Sequence, residues 1–293
     1  MAKVAVVVTV LNEQETIRDL LDALIDQTRR PDEIIIVDGG STDKTWEVVS
    51  HRSSVVSYKK VGNRSIGRNY GVQHSKSEII AFTDAGCVPH KDWLEELIKP
   101  FTSGADVVSG YYEGKAKNVF QKCLIPYVLV MPDQTKDEFL PATRSMAIRK
   151  AIFFQHGGFD ERLEHNEDYA FAMKLKRREV RIVFTKGAIV TWVPRKNLKQ
   201  AAWMFLRFAI GDAQAGILRP KVKLLAVRFY LFFFLLFINR WFGVLIVPYL
   251  VWAMAKNYKY VRDVRAVIWL PVLQVTSDIM VLFGTIVGLL SRV

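Results

Sequence analysis

Asp84 closes an apolar run, Ile79-Ile80-Ala81-Phe82-Thr83-Asp84-Ala85-Gly86-Cys87. A carboxylate at the carboxyl tip of a buried strand faces the crevice where open α/β sheets take their ligands. Asp38 ends a second apolar run and is followed by Gly39-Gly40-Ser41-Thr42-Asp43; Thr9 nears the end of a first. Glycines let backbone approach a ligand closely, and a carboxylate accepts hydroxyl protons. Two such acids beside a glycine loop suit a ribose, a base edge and a metal-bound diphosphate. Further on, Gly157-Gly158-Phe159-Asp160-Glu161 precedes Glu167-Asp168-Tyr169-Ala170. That acidic pair is either a catalytic base or a helix-start charge complementing the macrodipole. Two residues past Asp84, where a second acid would complete a paired metal site, stands Gly86.

These residues need strands that end together. Residues 4–10 form a continuous β-branched run, the mark of a strand buried on both faces. Asn12-Glu13-Gln14-Glu15 reads as a capping box opening a helix to about residue 26. Residues 33–37, 55–59 and 79–83 read as further strands, and 68–74 and 92–101 as helices. Strands alternating with helices predict βαβ units and a mostly parallel sheet, an α/β fold. From 106 to 193 the pattern is mixed, with strands expected at 107–112 and 180–184 and a helix at 168–176.

The composition then changes. Hydrophobic residues make up 51% of the 293, and the excess lies after about residue 224. Residues 196–211 read as an amphipathic helix, and Arg219, Lys221 and Lys223 as a basic linker. Two or three membrane segments are expected, with 266–290 one of them and 224–255 either one tilted helix or a hairpin of 224–239 and 240–255, because a span needs about 20 apolar residues. A break at Asn239-Arg240 would put that charge at the far-side turn instead of mid-bilayer. Basic flanks favour the same topology. Gln274 and Asp278 share one helix face, and a buried acid there should meet Arg228, Arg240 or another helix. Gly284 and Gly288 have the small-residue spacing of a helix contact, within the chain. The expected organisation is a catalytic domain over 1–215 and a membrane domain over 216–293.

Net charge is +12, which predicts attraction to anionic lipid or phosphorylated substrate. The basic residues cluster beside the apolar segments, so nucleic acid is not the expected partner. Two cysteines, Cys87 and Cys123, imply no disulfide framework and fit a reducing compartment. No charged n-region precedes an apolar core at the N-terminus, so the first two-thirds are expected on the cytoplasmic side.

Taken in order, Thr9-Val10-Leu11-Asn12-Glu13, Val37-Asp38-Gly39-Gly40-Ser41-Thr42-Asp43, Gly67-Arg68-Asn69-Tyr70-Gly71, Thr83-Asp84-Ala85-Gly86-Cys87, Gly158-Phe159-Asp160-Glu161 and Glu167-Asp168 resemble the inverting family-2 glycosyltransferases. The resemblance spans roughly residues 4–212. It implies a GT-A (Rossmann-like) fold, a nucleotide-sugar donor and a divalent cation, Mg²⁺ or Mn²⁺. It carries Thr9 and Asp38 onto base and ribose positions, with Arg68 and, less directly, Arg64 at the base or diphosphate. Asp43 matches the second acid of its loop, a ligand contact or a helix cap. Asp84 matches the first Asp of the Asp-x-Asp metal motif. Asp168 matches the general base, with Glu167 beside it in the catalytic pair as a structural or acceptor-binding partner.

Two departures matter. Gly86 replaces the second metal-binding Asp, leaving one carboxylate with diphosphate and waters to hold a metal. His90 and His165 are further candidate ligands. The Gln-x-x-Arg-Trp motif of processive synthases is absent, Gln200-Ala201-Ala202-Trp203 being the nearest string. Transfer of a single hexose or N-acetylhexosamine is therefore expected, to a hydroxyl of a lipid-linked glycan. A polyprenyl phosphate is the alternative acceptor, and an inactive membrane scaffold the alternative to an enzyme. Trp192 and Arg195 are candidates for the acceptor site or for packing at the membrane face. A dinucleotide oxidoreductase is excluded by the missing Gly-x-Gly-x-x-Gly after strand one. The acidic Leu11-Asn12-Glu13 turn argues against a triphosphate-binding nucleotidyltransferase.

Overall fold

The structure is a computed structural model, which describes residues 2–135 and 139–292. In chain order it runs β1 (Val4–Val10), α1 (Ile17–Ile25), β2 (Glu33–Asp38), α2 (Thr45–Ser50), β3 (Val56–Lys59), α3 (Arg64–His74) and β4 (Ile79–Phe82). Then come β5 (Cys87–Pro89), α4 (Trp93–Ile98), β6 (Val107–Gly114), α5 (Val119–Val128), β7 (Met146–Arg149), α6 (Lys150–Gln155), α7 (Glu167–Arg177) and β8 (Ile182–Trp192). Four helices complete it: α8 (Leu198–Gln214), α9 (Pro220–Ile238), α10 (Ile246–Val261) and α11 (Ala266–Leu290).

The sheet order is β3-β2-β1-β4-β7-β6-β8-β5. Strands β3, β2, β1 and β4 are parallel. Strand β7 is antiparallel to β4, β6 to β7, and β5 to β8. The sheet is thus mixed, and the parallel pattern read from the sequence describes only its first half. The antiparallel half is entered through β5 and β7, three and four residues long. Strands that short show no period.

Contacts divide the chain into two compact units: Met1–Glu113 with Asp133–Val193, and Gly114–Pro132 with Pro194–Val293. A boundary at 215 follows from composition alone; contacts group α8 and α5 with the C-terminal helices. In the first unit, the β1 run VAVVVTV is almost wholly buried, and Ile17, Leu20, Leu21 and Leu24 seal one face of α1. Phe82, Phe153, Phe159 and Phe171 fill the core beside Val7, Ile35 and Ile80. Helix α3 lies directly on β1. A β-carbon at Gly67 would come within 2.7 Å of Thr9 Cγ2, and one at Gly71 within 2.6 Å of Val7 Cγ1. Only glycine permits that approach, and it fixes the helix that carries Arg64 and Arg68.

The expected capping box is absent. Helix α1 starts at Ile17, and its N-cap Thr16 makes no side-chain cap bond. Asn12 instead has positive φ, and its Oδ1 accepts from the Thr42 amide at 2.9 Å. Gln14 exchanges bonds with the 43–44 segment: its amide donates to Asp43 Oδ2 and its Oε1 accepts from the Lys44 amide. The polar turn after β1 therefore ties down the loop after β2.

In the second unit, α8 and α11 touch backbone to backbone. A β-carbon at Gly284 would lie 2.6 Å from the Leu206 carbonyl, and one at Gly288 2.6 Å from that of Ile210. The expected small-residue contact is therefore made within the chain. Asp278 pairs with Arg228, as one of the expected partners, and also accepts from Tyr249 Oη at 2.7 Å and Gln274 Nε2 at 2.9 Å. Helix α9 ends at Asn239, whose side chain caps a short 3₁₀ turn before α10. Among the described residues one helix, α11, is long and apolar enough to cross a membrane, by length and composition. Helix α9 carries Lys221, Lys223 and Arg228 in 19 residues, and α10 has only 16.

Candidate active site

The register Val10↔Asp38↔Lys59 aligns the carboxyl ends of β1, β2 and β3, and β4 runs parallel beside β1. The loops after these strands meet at one edge. There α3 lends Arg68, whose side chain is only 2% exposed. Arg68 Nη2 donates to Asp84 Oδ1 at 2.8 Å, and Nη1 to Glu167 Oε1. Glu167 and Asp168 open α7, and Glu167 is buried. One cation thus holds two acids from distant parts of the chain.

Burial alone would raise the Asp84 carboxyl, but Arg68, then Arg64 and Arg144, more than offset this and hold it below the usual range. Asp84 stays ionised. Burial would likewise lower Arg68, but Glu167, Asp84 and Asp168 raise it above its ordinary value. Glu167 moves the other way: burial pushes it up, Arg68 opposes, and Asp168 adds to the rise. Burial and then Asp84 push the neighbouring Cys87 thiol up to about 12, so it is no nucleophile near neutrality.

Asp168 is held by Thr143. The Thr143 amide donates to Asp168 Oδ2 at 3.2 Å, and its hydroxyl lies 3.3 Å from the same oxygen and 3.4 Å from Asp84 Oδ1. Asp168 Oδ1 also accepts from the Tyr169 amide at 2.8 Å, a helix-start contact. Helix α3 is clamped in turn: Asn69 exchanges amide bonds with Phe159, and Asn63 Nδ2 donates to the Glu161 carbonyl. The Gly157–Glu161 turn is thus a brace for the arginine helix.

At the tip of β2, Asp38 Oδ1 accepts from the Gly40 and Ser41 amides at 2.8 and 2.7 Å. Its Oδ2 is buried without a hydrogen-bond partner, as is Thr83 Oγ1. An orphaned buried acceptor costs about 1–3 kcal/mol, so such atoms at a cleft edge suit a ligand's donors. Thr9 packs its methyl against Gly67. Asp43, two residues before α2 begins, accepts from the Thr45 amide through Oδ1 at 2.9 Å. Arg64 is exposed in the first turn of α3, one turn before Arg68. Trp192 ends β8, buried, with its ring 5.4 Å from the Arg144 guanidinium carbon. Arg195 is exposed and belongs to the other compact unit.

Among the described residues no group of three or more His, Cys, Asp or Glu could hold a metal. His90 faces Glu113 and Thr191 instead. The hydrogen bonds to Asp84 all fall on Oδ1, and its side chain is 31% exposed. A β-carbon at Gly86 would meet nothing within 4 Å. One free carboxylate oxygen beside open space fits a hard cation that takes its other ligands from phosphate and water. Thr143 and Arg144 were not legible as site residues; they sit in a stretch without periodicity, and only their contacts mark them.

The profile of glycosyl transferase family 2 matches residues 5–180. Glycosyltransferase AglE of Haloferax volcanii is 33% identical over 120 residues, covering 38% of this chain and 39% of that protein. The chain thus matches only about two-fifths of AglE's length. Succinoglycan biosynthesis protein ExoA of Rhizobium meliloti is 25% identical over 279 residues, 85% of this chain and 82% of that one. Among solved structures, a mannosyltransferase from Pyrobaculum calidifontis in complex with GDP-Man and Mn²⁺ superposes with a TM-score of 0.64 at 20% identity. That likeness covers 99% of this chain and 87% of the other, and it is a likeness of fold.

Proposed function

The chain belongs to glycosyl transferase family 2, and from that premise we propose that it is an inverting enzyme that moves one sugar from a nucleotide sugar to a membrane-associated acceptor hydroxyl. The observation that supports this most is the shared Thr143 hydroxyl, which sets Asp168 beside Asp84. Asp168 takes the acceptor proton as the oxygen attacks the anomeric carbon from the face opposite the nucleotide. Glu167 stays locked on Arg68 and keeps α3 and α7 in register. Asp38 Oδ2 and Thr9 receive the base and ribose, and Arg64 and Arg68 supply positive charge near the diphosphate. Asp84 Oδ2 would hold a divalent cation, Mg²⁺ or Mn²⁺, which when bound supplies positive charge to the leaving diphosphate. The Mn²⁺ in the mannosyltransferase complex supports this coarse reading.

A hydroxyl acceptor follows from the base: an ionised lipid phosphate needs no proton removed, whereas a sugar hydroxyl does. The acceptor is proposed as a lipid-linked glycan at an anionic membrane, with the catalytic unit on the cytoplasmic side. Support comes from the helical unit, which exposes Leu224, Tyr230, Phe237, Val264, Ile268 and Leu290. Apolar surface on that scale marks an interaction or membrane face. The basic residues beside these helices fit an anionic, inner leaflet. The test is product analysis. Membranes with and without the protein are incubated with a panel of nucleotide sugars, and lipid extracts are read by mass spectrometry. A lipid-linked glycan heavier by one sugar, with inverted linkage, is expected. Sugar on polyprenyl phosphate itself would overturn the acceptor assignment, and no donor consumption would overturn the activity.

A further inference from the structure

Arg144 is the one cation of the site that the reaction above leaves without work. Its guanidinium carbon lies 5.4 Å from the ring centre of Tyr112 and 5.4 Å from that of Trp192. Both rings are buried, so they form fixed walls. Among the described residues its guanidinium has no carboxylate at salt-bridge distance and donates no hydrogen bond. The contrast with Arg68, which holds two carboxylates, is direct. An arginine carries five N–H donors in a planar fork, and ring contacts leave those donors free for an oxyanion.

The position says which anion. Arg144 follows Thr143, whose hydroxyl touches Asp84 and Asp168. Its charge helps hold Asp84 ionised, and Trp192, one of its two walls, pairs in register with Cys87, three residues past Asp84. The fork therefore lies toward the leaving-group side. There Gly86 opens space where a second acid would have stood. We propose that Arg144, held against Tyr112 and Trp192, binds the diphosphate of the nucleotide-sugar donor and takes up charge on the leaving group. This rests on the donor site proposed above.

The experiment uses the full chain in detergent and a panel of UDP, GDP, dTDP, CDP and ADP, each with its nucleoside, titrated by calorimetry in EDTA. Wild type should bind one diphosphate at least about tenfold more tightly than its nucleoside without metal, the increment of a charge-assisted bond. R144Q should lose most of that preference while keeping nucleoside affinity, which also reports that it folds. R144K should fall between them. Wild-type diphosphate affinity in R144Q overturns the assignment, and so does a wild-type preference that vanishes entirely in EDTA. An acceptor phosphate as the true ligand would give the first of these results. If no diphosphate of the panel binds wild type, with or without metal, the donor site itself is wrong and this assignment falls with it.

Discussion

Arg68→Met removes the cation between Glu167 and Asp84, and the consequence depends on how differently the two acids are buried. Glu167 has 4% of its side chain exposed and Asp84 31%. Stranding a buried charge costs about 3–5 kcal/mol, whereas a partly solvated partner adds little. For a unit of this size that lowers the thermal midpoint by roughly 6–20 °C. The loss should depend on pH, and its sign follows from Glu167. Burial already holds that carboxyl above its ordinary value, with Arg68 the main opposing influence. Without Arg68 it rises further, so the folded state binds more protons than the unfolded one. Stability then falls as pH rises from the ordinary glutamate value toward the new one. Asp84 behaves oppositely: its lowered carboxyl contributes stability above 3.8 that is lost as pH falls. The gap between wild type and R68M should therefore widen from pH 5 to pH 8 in differential scanning fluorimetry of the full chain. R68M/E167M, with both members of the buried pair removed, should recover most of the loss. A shift under about 2 °C, a gap independent of pH, or a double variant no better than R68M would refute the reasoning.

Asp168→Asn should cut turnover by about 10²–10⁴ while nucleotide affinity holds, read by single-turnover kinetics and calorimetry; wild-type turnover removes Asp168 from the role of base. Asp84→Asn should abolish any gain in nucleoside-diphosphate affinity from added Mg²⁺ or Mn²⁺, and a gain surviving the substitution would place the metal elsewhere. In the helical unit, Gly284→Leu would press against the Leu206 carbonyl. Overpacking there should cost about 1–3 kcal/mol and raise protease sensitivity of the α8–α11 pair while nucleotide binding stays; wild-type resistance would contradict the close approach.

What could be read in advance was what repeats or ends abruptly. The β-branched runs of β1 and β2 and the apolar run of β4 announced themselves, and so did Asp38 and Asp84 at their tips. Asn12-Glu13-Gln14-Glu15 misled because the side chains that make a capping box also bond loop amides; its partners were 30 residues away, at Thr42 and Lys44. Strand β7 left no trace, its four residues lacking the paired isoleucines that marked β4, and Thr143 three residues before it was equally silent. Residues 114–132 went with the C-terminal helices because α5 is apolar enough for either core. Arg228 and Asp278 could be matched beforehand, since an acid in an apolar helix restricts its own partners.

That last pair bears on how the chain is made. Arg228 lies on α9 and its carboxylate partner 50 residues later on α11. Synthesis runs from the N-terminus, so α9 is completed while its arginine still lacks a counter-ion. The helical unit cannot close until α11 has been delivered, and Asp278 then draws in Arg228, Tyr249 and Gln274 together. Until then Arg228 has the rings of Phe229, Tyr249 and Trp252 beside it, so a chain that stops short of residue 278 lacks the carboxylate that ties α9 and α10 to α11.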